Sequence, residues 1–520
     1  MDATALLRLY ASRRLHRLRR LDAVVSQRAQ LRTLVHHARK TVFGRAHGFA
    51  DIESVAAFQG SVPLQRHESL WNDYWSKTYP VLEDCTWPGR MPFFALTSGT
   101  TSASSKAIPV SHQMVRANRR AALDVLCWHL ARHPASRPLA GRTLMLGGST
   151  ALTMAAPGVR VGDLSGIAAV TAPLWSRWHL QPPQRIALLD DWDAKLDALA
   201  QLALQESITV LSGTPSWMLP LFERIMALRD GRGPALPDLQ LLIHGGVSFG
   251  LYRERICGYL QGTGAQTQEV YPASEGFMAM GDGDEDEGLR LMVDNGLFYE
   301  FVPTADLQDG MPTPRSRRHW LEDVAYGVDY AIVLSSNAGV WACLIGDTVR
   351  FVNLDPPRLV ITGRVQAMLS ACGEHLTVAE LEQAMARAGH ELGVSVEDFT
   401  VGTMFFPSGQ AQHGYLVAVT PCSDPMPCVH PLLAQRLDAL LQQGNDDYRA
   451  HRQGDAQLLA PRVVLVSRAT LEDWMRARGH LGGQHKLPRV LHDGHRLAAL
   501  AQALGGWELL QGRADSRQKE

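Results

Sequence analysis

Apolar residues recur at helical spacing over the first 60 positions, with basic residues between them, which predicts an α-helical start to the chain. From about position 90 onward, short apolar runs alternate with longer amphipathic stretches. The short runs predict strands at 93–96, 144–147, 208–211 and 239–244. The amphipathic stretches predict helices at 113–133 and 191–205. This alternation indicates an α/β body with a largely parallel sheet.

The pattern changes after position 288. Positions 288–302 read as two strands joined by a hairpin turn at Asn295-Gly296, and 340–353 looks similar, so a β-barrel-like part or a second sheet is expected. A separate α+β pattern follows, with predicted helices at 378–388 and 431–442 and predicted strands at 399–406, 415–420 and 462–466. Because 520 residues exceed what one hydrophobic core supports, we predict a large N-terminal domain at 1–365 and a small C-terminal domain at 366–520.

The overall composition disfavours several classes of function. The chain is 46% hydrophobic and 20% charged, and its net charge of -1 gives no reason to expect a nucleic acid or an anionic membrane as a partner. Seven cysteines are scattered without a Cys-x-x-Cys pair, which disfavours a disulfide framework and a structural zinc site. The N-terminus lacks the apolar core of a signal peptide and reads as an amphipathic helix. We therefore expect a reduced, cytoplasmic location.

A loop rich in hydroxyl groups follows the first predicted strand. Residues 96–111 read LTSGTTSASSKAIPVS, so several hydroxyl donors, one glycine and Lys106 lie close together in the sequence. This chemistry suits a polyphosphate, whose oxygens take several donors and a cation. It is not the P-loop of kinases, because no Gly-Lys-Ser/Thr step is present. A polar surface loop is the alternative interpretation.

Four further motifs carry polar groups at the ends of predicted strands. The segment EVYPASEG contains Tyr271, whose ring could stack on a purine, and Glu275, whose carboxylate could hold Mg²⁺. The segment LIGDTVRF places Asp347 after a glycine at a predicted strand end, where an aspartate can accept ribose hydroxyls. Arg364 follows Gly363, and Lys486 lies in the late segment GGQHKLPR. Taken singly, each motif also fits an ordinary turn or surface loop.

The order of these five motifs resembles the adenylate-forming enzyme superfamily, whose members join ATP to a carboxylate. Within it, TSGTTSASSKAIPVS, YPASEG and HKLPR are most similar to the acyl-acid amido synthetases, the auxin-responsive promoter (Gretchen Hagen) family. The resemblance runs from about Phe58 to Val490. It implies a firefly-luciferase-like α/β fold, with a large N-terminal domain of parallel sheets and a β-barrel-like part, and a small mobile α+β domain that closes over the site.

The resemblance also implies a reaction and a set of site residues. A carboxylic acid would be activated as an acyl-adenylate with ATP and Mg²⁺, and an amine, commonly an amino acid, would then accept the acyl group. Catalytic roles fall to Lys486, Ser274 and Glu275, with Glu275 as the metal ligand. Nucleotide binding falls to Ser98, Gly99, Thr100, Thr101, Ser102, Lys106, Gly245, Gly246, Tyr271, Asp347 and Arg364. The alternatives are an acyl-CoA ligase and a non-catalytic binding protein of the same fold, and a monomer is the family's expectation.

The chain departs from its relatives at two places. The hinge aspartate of acyl-CoA and luciferase-type relatives is replaced by Gln366, and the hydroxyl loop has Ala103-Ser104-Ser105 where a second glycine is usual. Candidates for an acyl pocket are Arg119, Arg120, Trp175, Trp178, Trp217, Met218, Phe277 and Met278, each of which also fits a structural position. The acidic run at 282–287 fits a solvated loop better than a metal site.

Overall fold

The computed structural model describes residues 2–97, 106–147, 151–173, 176, 178–189, 191–247, 249–250, 252–284, 287–308, 311–313, 316–365, 369, 374, 376–406, 410–420, 427–452, 458–477, 487–491 and 494–511. The chain divides into two compact units. The first is Met1–Val247 with Arg255–Ile361, and the second is Ser248–Glu254 with Thr362–Glu520. The role of residues 366–520 as a closing domain stays a prediction. Within the described parts of the chain, no helix is long and apolar enough to cross a membrane.

The helices fall into an N-terminal group, a group between the strands of the first unit, and a C-terminal group. They are α1 Thr4–Leu18, α2 Ala23–Ala38, α3 Val42–Ala46, α4 Val55–Ser61, α5 His67–Leu70, α6 His112–Arg132, α7 Leu164–Thr171, α8 Gln184–Ala187, α9 Trp192–Gln205, α10 Pro215–Leu228, α11 Arg253–Tyr259, α12 Val378–Leu392, α13 Pro431–Gly444, α14 Asp446–Arg452, α15 Arg468–Ala477, α16 Gly494–Ala503 and α17 Trp507–Gln511. A π-helical turn at Trp71–Trp75 continues α5.

The strands follow the same division. They are β1 Phe93–Thr97, β2 Lys106–Val110, β3 Arg142–Met145, β4 Leu152–Ala156, β5 Val159–Gly162, β6 Leu180–Gln181, β7 Ile208–Gly213, β8 Leu241–His244, β9 Gln266–Ala273, β10 Gly276–Met280, β11 Leu289–Leu291, β12 Leu297–Pro303, β13 Leu307–Gln308, β14 Met311–Pro312, β15 Asp329–Ser336, β16 Cys343–Leu354, β17 Pro357–Arg364, β18 Val396–Phe405, β19 Ala411–Val419, β20 Cys428–Val429, β21 Leu458–Ser467 and β22 Val490–Leu491. The strands and helices predicted between positions 93 and 244 and between 378 and 466 are confirmed, with bounds shifted by a few residues. The strand–turn–strand expected at 340–353 is wrong, because the single strand β16 runs through it.

An 11-stranded sheet runs through the first unit in the order β12-β15-β16-β17-β11-β10-β9-β8-β7-β3-β6. Its part from β6 to β9 is parallel, as the strand–helix alternation predicts, and from β9 onward its recorded neighbour pairs are antiparallel. A four-stranded sheet, β2-β1-β5-β4, lies beside a core that includes Phe94, Val110 and Trp341. The carboxyl ends of β7 and β8 therefore share one edge, where ligands bind in open α/β sheets.

The predicted hairpin at Asn295-Gly296 is wrong. Two strands do flank this turn, but β11 pairs with β10 and β17, whereas β12 pairs with β15. Gly296 has a φ of +77°, and its N–H donates to Gln30 Oε1 of α2 at 2.8 Å. The Asn-Gly signal thus marks a left-handed backbone turn, as predicted. The Gly296 N–H bonds to α2, however, and the strand that follows the turn, β12, pairs with β15 instead of β11.

Helix α1 is tied to the body of the first unit by buried charge. Arg14 contacts Asp124 of α6 at 2.7 Å and Asp294 at 2.9 Å, and the three side chains are at most 9% exposed. Leu7, Ala11 and Leu15 pack against Ala121, Val125 and Trp128 of α6 in one apolar cluster. The predicted amphipathic first helix is therefore confirmed as part of the fold.

The second unit has its own core around a five-stranded sheet, β20-β21-β19-β18-β22. Helix α12 begins with a reciprocal capping box between Thr377 and Glu380 and packs beside α13 on this sheet. On β19, His413 Nε2 lies 2.9 Å from Glu374 Oε1, and both side chains are buried. Glu374 is thereby fixed to the centre of the sheet of its own unit.

Candidate active site

The hydroxyl loop begins and ends at one point of the four-stranded sheet. In the antiparallel pair β1–β2, Thr97 lies opposite Lys106. Between these two residues come the candidates Ser98, Gly99, Thr100, Thr101 and Ser102, all of which are outside the described residues. Lys486, in the late motif, is outside the described residues as well. What the structure describes of this loop is its two ends, held together by the strand pair.

Lys106 is paired with a carboxylate that the sequence analysis missed. Lys106 Nζ lies 2.6 Å from Glu68 Oε1 of α5. Partial burial alone would raise the pKa of the Glu68 carboxyl, but the Lys106 ammonium outweighs it and holds that pKa below its ordinary value. The adjacent His67 ring contacts the carbonyl oxygen of Ala107 at 3.2 Å. No motif marks the segment QRHESL, so its pairing with β2 was accessible only from the fold.

The buried thiol of Cys343, at the start of β16, lies within electrostatic range of four charged side chains. They are Arg66, Glu68, Lys106 and Glu275, each of which influences the pKa of this thiol. Complete burial raises that pKa far above its usual range, and the carboxylate of Glu275 raises it further. The thiol is therefore un-ionised and unreactive at neutral pH. Lys106 and Glu275, which come from distant parts of the sequence, are thus both within electrostatic range of this thiol.

Tyr271 and Asp347 are joined directly. Tyr271 Oη donates a hydrogen bond of 2.7 Å to Asp347 Oδ2. Tyr271 lies in β9 and is 6% exposed, whereas the Asp347 side chain belongs to a half-buried residue of β16. The phenol therefore fixes Oδ2. Because the carboxylate is planar and rigid, the same bond also orients Oδ1.

The prediction that Asp347 follows a strand end is wrong. Asp347 lies inside the continuous strand β16, at a bulge where the pairing passes from Ala331↔Thr348 to Val333↔Leu344. Gly346 has a φ of +90° there, a conformation that glycine adopts readily. The Gly-Asp pair resembles a turn in sequence because a bulge needs the same backbone freedom. In the folded chain, it points the aspartate out of the regular ladder.

The glycine pair after β8 lies beside β9. Since β8 and β9 are parallel with His244 opposite Glu269, Gly245 comes next to Val270, the residue before Tyr271. A Cβ at Gly245 would lie 2.3 Å from the Val270 carbonyl oxygen, so only glycine fits. Gly246 is exposed and has a φ of +80°. The two glycines therefore bring bare backbone next to the Tyr271 strand, as close approach of a ligand requires.

Ser274 and Glu275 form the tight turn between β9 and β10. Both are half-buried. The turn closes on Gly276, which has a φ of +154°, and whose Cβ, if present, would lie 2.7 Å from Leu297 Cδ2. Glu275 is thus held on a short, fixed turn a few residues from Tyr271. A carboxylate so placed has the hard oxygen donors that Mg²⁺ takes together with phosphate oxygens.

Two predicted residues belong to the second unit. Arg364 is exposed at the end of β17 and follows Gly363, whose φ is +144°. Near the segment that contains Lys486, Arg489 is buried and donates to Glu382 Oε1 at 2.7 Å and to Asp398. The described end of the late motif is therefore anchored to α12 and β18 of the same unit.

Three of the acyl-pocket candidates have structural partners or are fully buried. Arg120 donates to the Asp294 carbonyl oxygen at 2.7 Å, Trp217 packs against Trp192 with ring centroids 5.5 Å apart, and Met278 is fully buried. The remaining candidates are Arg119, Met218, Phe277 and Trp178, while Trp175 lies outside the described residues. Asp282 of the acidic run pairs with Arg290 and Arg358. Among the residues that the structure describes, there is no cluster of three metal-ligating side chains.

Comparison with known proteins now identifies the family. Models of the GH3 family match the chain as its N-terminal domain at residues 14–193, its central domain at 290–364 and its C-terminal domain at 379–495. The chain belongs to the GH3 family. The resemblance drawn from the motifs is thereby confirmed.

One curated relative, the indole-3-acetic acid-amido synthetase GH3.3 of Arabidopsis thaliana, is 25% identical over 207 residues. That match covers 38% of this chain and 34% of the relative, so the chain spans about a third of the length of the curated relative it matches. The comparison covers only this part of the relative's sequence.

Solved structures of the same fold cover nearly the whole chain. A GH3.15 acyl acid amido synthetase is similar with a TM-score of 0.72 and 14% identity over 92% of both chains, and its complex with 2,4-DB gives 0.74 over 95% of both chains. A 2-hydroxyisobutyryl-CoA ligase in its postadenylation state gives 0.60 at 16% identity, over 92% of this chain and 91% of that one. The predicted adenylate-forming α/β fold of this GH3 protein is therefore confirmed.

Proposed function

We propose that this protein is an ATP- and Mg²⁺-dependent acyl-acid amido synthetase. It activates a carboxylic acid as an acyl-adenylate with release of pyrophosphate, and then transfers the acyl group to an amine, an amino acid, to form an amide. The observation that carries the proposal is the 2.7 Å hydrogen bond from Tyr271 Oη to Asp347 Oδ2, which brings two of the five motifs together in one site. Membership of the GH3 family supports the same reaction.

The chemistry asks for positive charge and hydrogen-bond donors more than for an acid–base pair. A carboxylate that attacks the α-phosphorus brings two anions together, and negative charge passes to the departing pyrophosphate. Lys106 stands at the loop that would hold the phosphates, together with the donors Ser98, Gly99, Thr100, Thr101 and Ser102. Lys486 would add charge at the α-phosphate from the small domain, and Ser274 would contact the α-phosphate or the acyl group.

The remaining assignments concern the adenine, the ribose and the metal ion. Gly245, Gly246 and Tyr271 would frame the adenine, and Asp347 with Arg364 would take the ribose hydroxyls. Glu275 would hold Mg²⁺, which when bound neutralises phosphate charge. Glu275 lies on a fixed turn and has no second carboxylate in its own turn, which suits an ion that keeps phosphate and water oxygens as its other ligands.

Protection of the adenylate from water belongs to the same proposal. An acyl-adenylate hydrolyses if water reaches its carbonyl, so closure of the small domain over the large one would exclude water and admit the amine. A monomer in the cytoplasm, without nucleic acid or membrane partners, completes the proposal. The scattered cysteines and the net charge of -1 favour that setting.

An acyl-CoA ligase is the second candidate, because the fold is also that of the 2-hydroxyisobutyryl-CoA ligase. The two candidates share the first half-reaction and differ in the acceptor. An amine gives an amide, whereas coenzyme A gives a thioester.

The test is acid-dependent release of pyrophosphate. Purified protein is given ATP, Mg²⁺ and a panel of aromatic and aliphatic carboxylic acids, first alone, then with the amino acids or with coenzyme A, and the products are identified by mass spectrometry. Amide formation supports the proposal. A thioester without any amide would contradict it and identify the protein as an acyl-CoA ligase. No release with any acid would overturn both and favour a non-catalytic binding protein.

A matched pair of variants checks the site itself. Glu275→Gln is expected to lower acid-dependent pyrophosphate release about a hundredfold, in line with the loss of one group that stabilises transition-state charge. Glu53→Gln changes an exposed glutamate outside the site and is expected to leave the rate unchanged. Equal rates for the two variants would remove Glu275 from the proposed machinery.

A further inference from the structure

The side chain of Glu68 stands next to the proposed phosphate site, although no sequence motif contains it. Its Oε1 lies 2.6 Å from Lys106 Nζ, a short contact between opposite charges. Lys106 is 29% exposed and Glu68 is 56% exposed. The ammonium is thus the more enclosed of the two groups, and the carboxylate meets it from the solvent side.

The segment just before Glu68 is fixed by main-chain hydrogen bonds of Gln65 and by contacts of the His67 ring. Gln65 N–H donates to the Ala342 carbonyl oxygen at 2.8 Å, and the Gln65 carbonyl oxygen accepts from Leu344 N–H at 2.9 Å. The His67 ring, immediately before Glu68, contacts the Ala107 carbonyl oxygen at 3.2 Å and stacks on Trp71, with ring centroids 6.1 Å apart. Glu68 therefore projects from a frame that joins the start of β16 to the start of β2.

A fixed carboxylate changes what Lys106 can do. A lysine side chain has four rotatable bonds, so its ammonium samples many positions unless a partner holds it. When a carboxylate on an anchored segment holds the ammonium at one place, part of that conformational entropy is lost on folding and not on ligand binding. The ammonium then stands at the loop exit before any phosphate arrives.

We infer that Glu68 is a positioning residue, which holds the Lys106 ammonium in place for the triphosphate of ATP. The inference rests on the proposed function, because it concerns the same phosphate site. It adds a residue outside every motif of the resemblance and gives the segment at 65–68 a role in nucleotide affinity. Glu68 acts through Lys106 and touches no reacting atom itself.

Equilibrium binding of ATP with Mg²⁺, measured by calorimetry without any acid, is the direct test. Glu68→Gln is expected to weaken ATP binding about three- to tenfold, the range for loss of one charge-assisted hydrogen bond that orders a ligand-binding group. In acid-dependent pyrophosphate release, the same variant is expected to raise the KM for ATP while kcat changes less than about twofold. Glu68→Asp, which keeps the charge, is expected to recover part of the affinity.

The control is Glu322→Gln, because Glu322 is 54% exposed and pairs with Arg28 at 3.2 Å, far from the Lys106 site in the sequence. It is expected to bind ATP like the wild type. A Lys106→Met background separates positioning from a general loss of structure. There, Glu68→Gln is expected to have no further effect, since the group through which it acts is gone.

The outcomes distinguish the two proposals. If the wild type binds ATP and Glu68→Gln binds it equally well, the positioning role is overturned and the proposed function stands. If Glu68→Gln weakens binding equally in the Lys106→Met background, the residue acts on the fold and the inference is also overturned. If the wild type binds ATP but releases no pyrophosphate with any acid, the proposed function fails, and the calorimetric comparison still decides the role of Glu68.

Discussion

Tyr271 Oη donates a 2.7 Å hydrogen bond to Asp347 Oδ2, which joins β9 to the bulge of β16. The two residues belong to separate motifs, and the bond orients the carboxylate that we assign to the ribose. Tyr271→Phe removes this bond and keeps the ring. We expect the KM for ATP to rise about tenfold, as loss of a hydrogen bond to a charged group implies.

The same variant has a second, more specific consequence. With the Tyr271 bond to Asp347 lost, the preference for ATP over 2′-deoxy-ATP is expected to shrink. Tyr299→Phe is the matched control, because the buried Tyr299 hydroxyl bonds to the main-chain oxygens of Met278 and Met292. It is expected to lower the free energy of unfolding by about 1 kcal/mol and to leave the nucleotide preference unchanged. An unchanged preference in Tyr271→Phe would separate Asp347 from ribose binding.

Gly245 is a second test of how the nucleotide edge is built. Gly245→Ala puts a Cβ 2.3 Å from the Val270 carbonyl oxygen, so β8 and β9 must separate. We expect a loss of about 1–3 kcal/mol in the free energy of unfolding, measured by urea denaturation, together with weaker ATP binding. Gly60→Ala has open space around its Cβ inside α4 and is expected to gain about 0.5–1 kcal/mol. Equal stability of the two variants would contradict the close approach.

Much of the fold could be predicted from the sequence, because periodicity reports which face of an element is buried. The alternation from β1 to β9 and the helices α6, α9 and α12 were accessible in this way. Strand partners were not, since pairing depends on contacts between distant segments. The turn at Gly296 shows this limit, because its backbone conformation was predictable and the choice of β15 over β11 as partner of β12 was not.

The site divides along the same line. Glu275 and Asp347 could be proposed from the sequence because each lies next to a glycine in a local motif, and Tyr271 because it belongs to the same motif as Glu275. Glu68 was missed because an exposed glutamate on a four-residue helix looks like any solvated residue, and only the docking of α5 on β2 gives it meaning. The strand-end prediction for Asp347 failed for a related reason, since a bulge and a turn use glycine alike.

Arg14 tests the attachment of the first helix. Arg14→Met removes the cation that the buried carboxylates of Asp124 and Asp294 share. Two uncompensated buried charges remain, so we expect a loss of about 3–5 kcal/mol in the free energy of unfolding. Arg13→Met changes an exposed neighbour on the same helix and is expected to stay within about 0.5 kcal/mol of the wild type. Similar urea midpoints for the two variants would show that the ion triad contributes no stability.

His129 of α6 gives a prediction for the pH dependence of stability. Burial, with smaller contributions from the positive charges of His133 and Arg132, lowers the pKa of His129 from 6.5 to about 4. Between these two values, the unfolded chain binds a proton at this residue and the folded chain does not. The contribution to stability is therefore fully present above pH 6.5 and is lost as the pH falls toward 4, by an amount on the order of 3 kcal/mol.

His129→Gln removes this titration while an amide can still meet Ser136 Oγ, which lies 2.8 Å from His129 Nε2. Urea denaturation of the wild type at intervals from pH 7 to pH 4 is expected to show a falling free energy of unfolding, and the variant a flatter curve over the same range. Because the variant cannot bind the proton, its loss of stability relative to the wild type should be largest at pH 7 and smallest near pH 4. Parallel curves for the two proteins would mean that His129 is accessible to protons in the folded state.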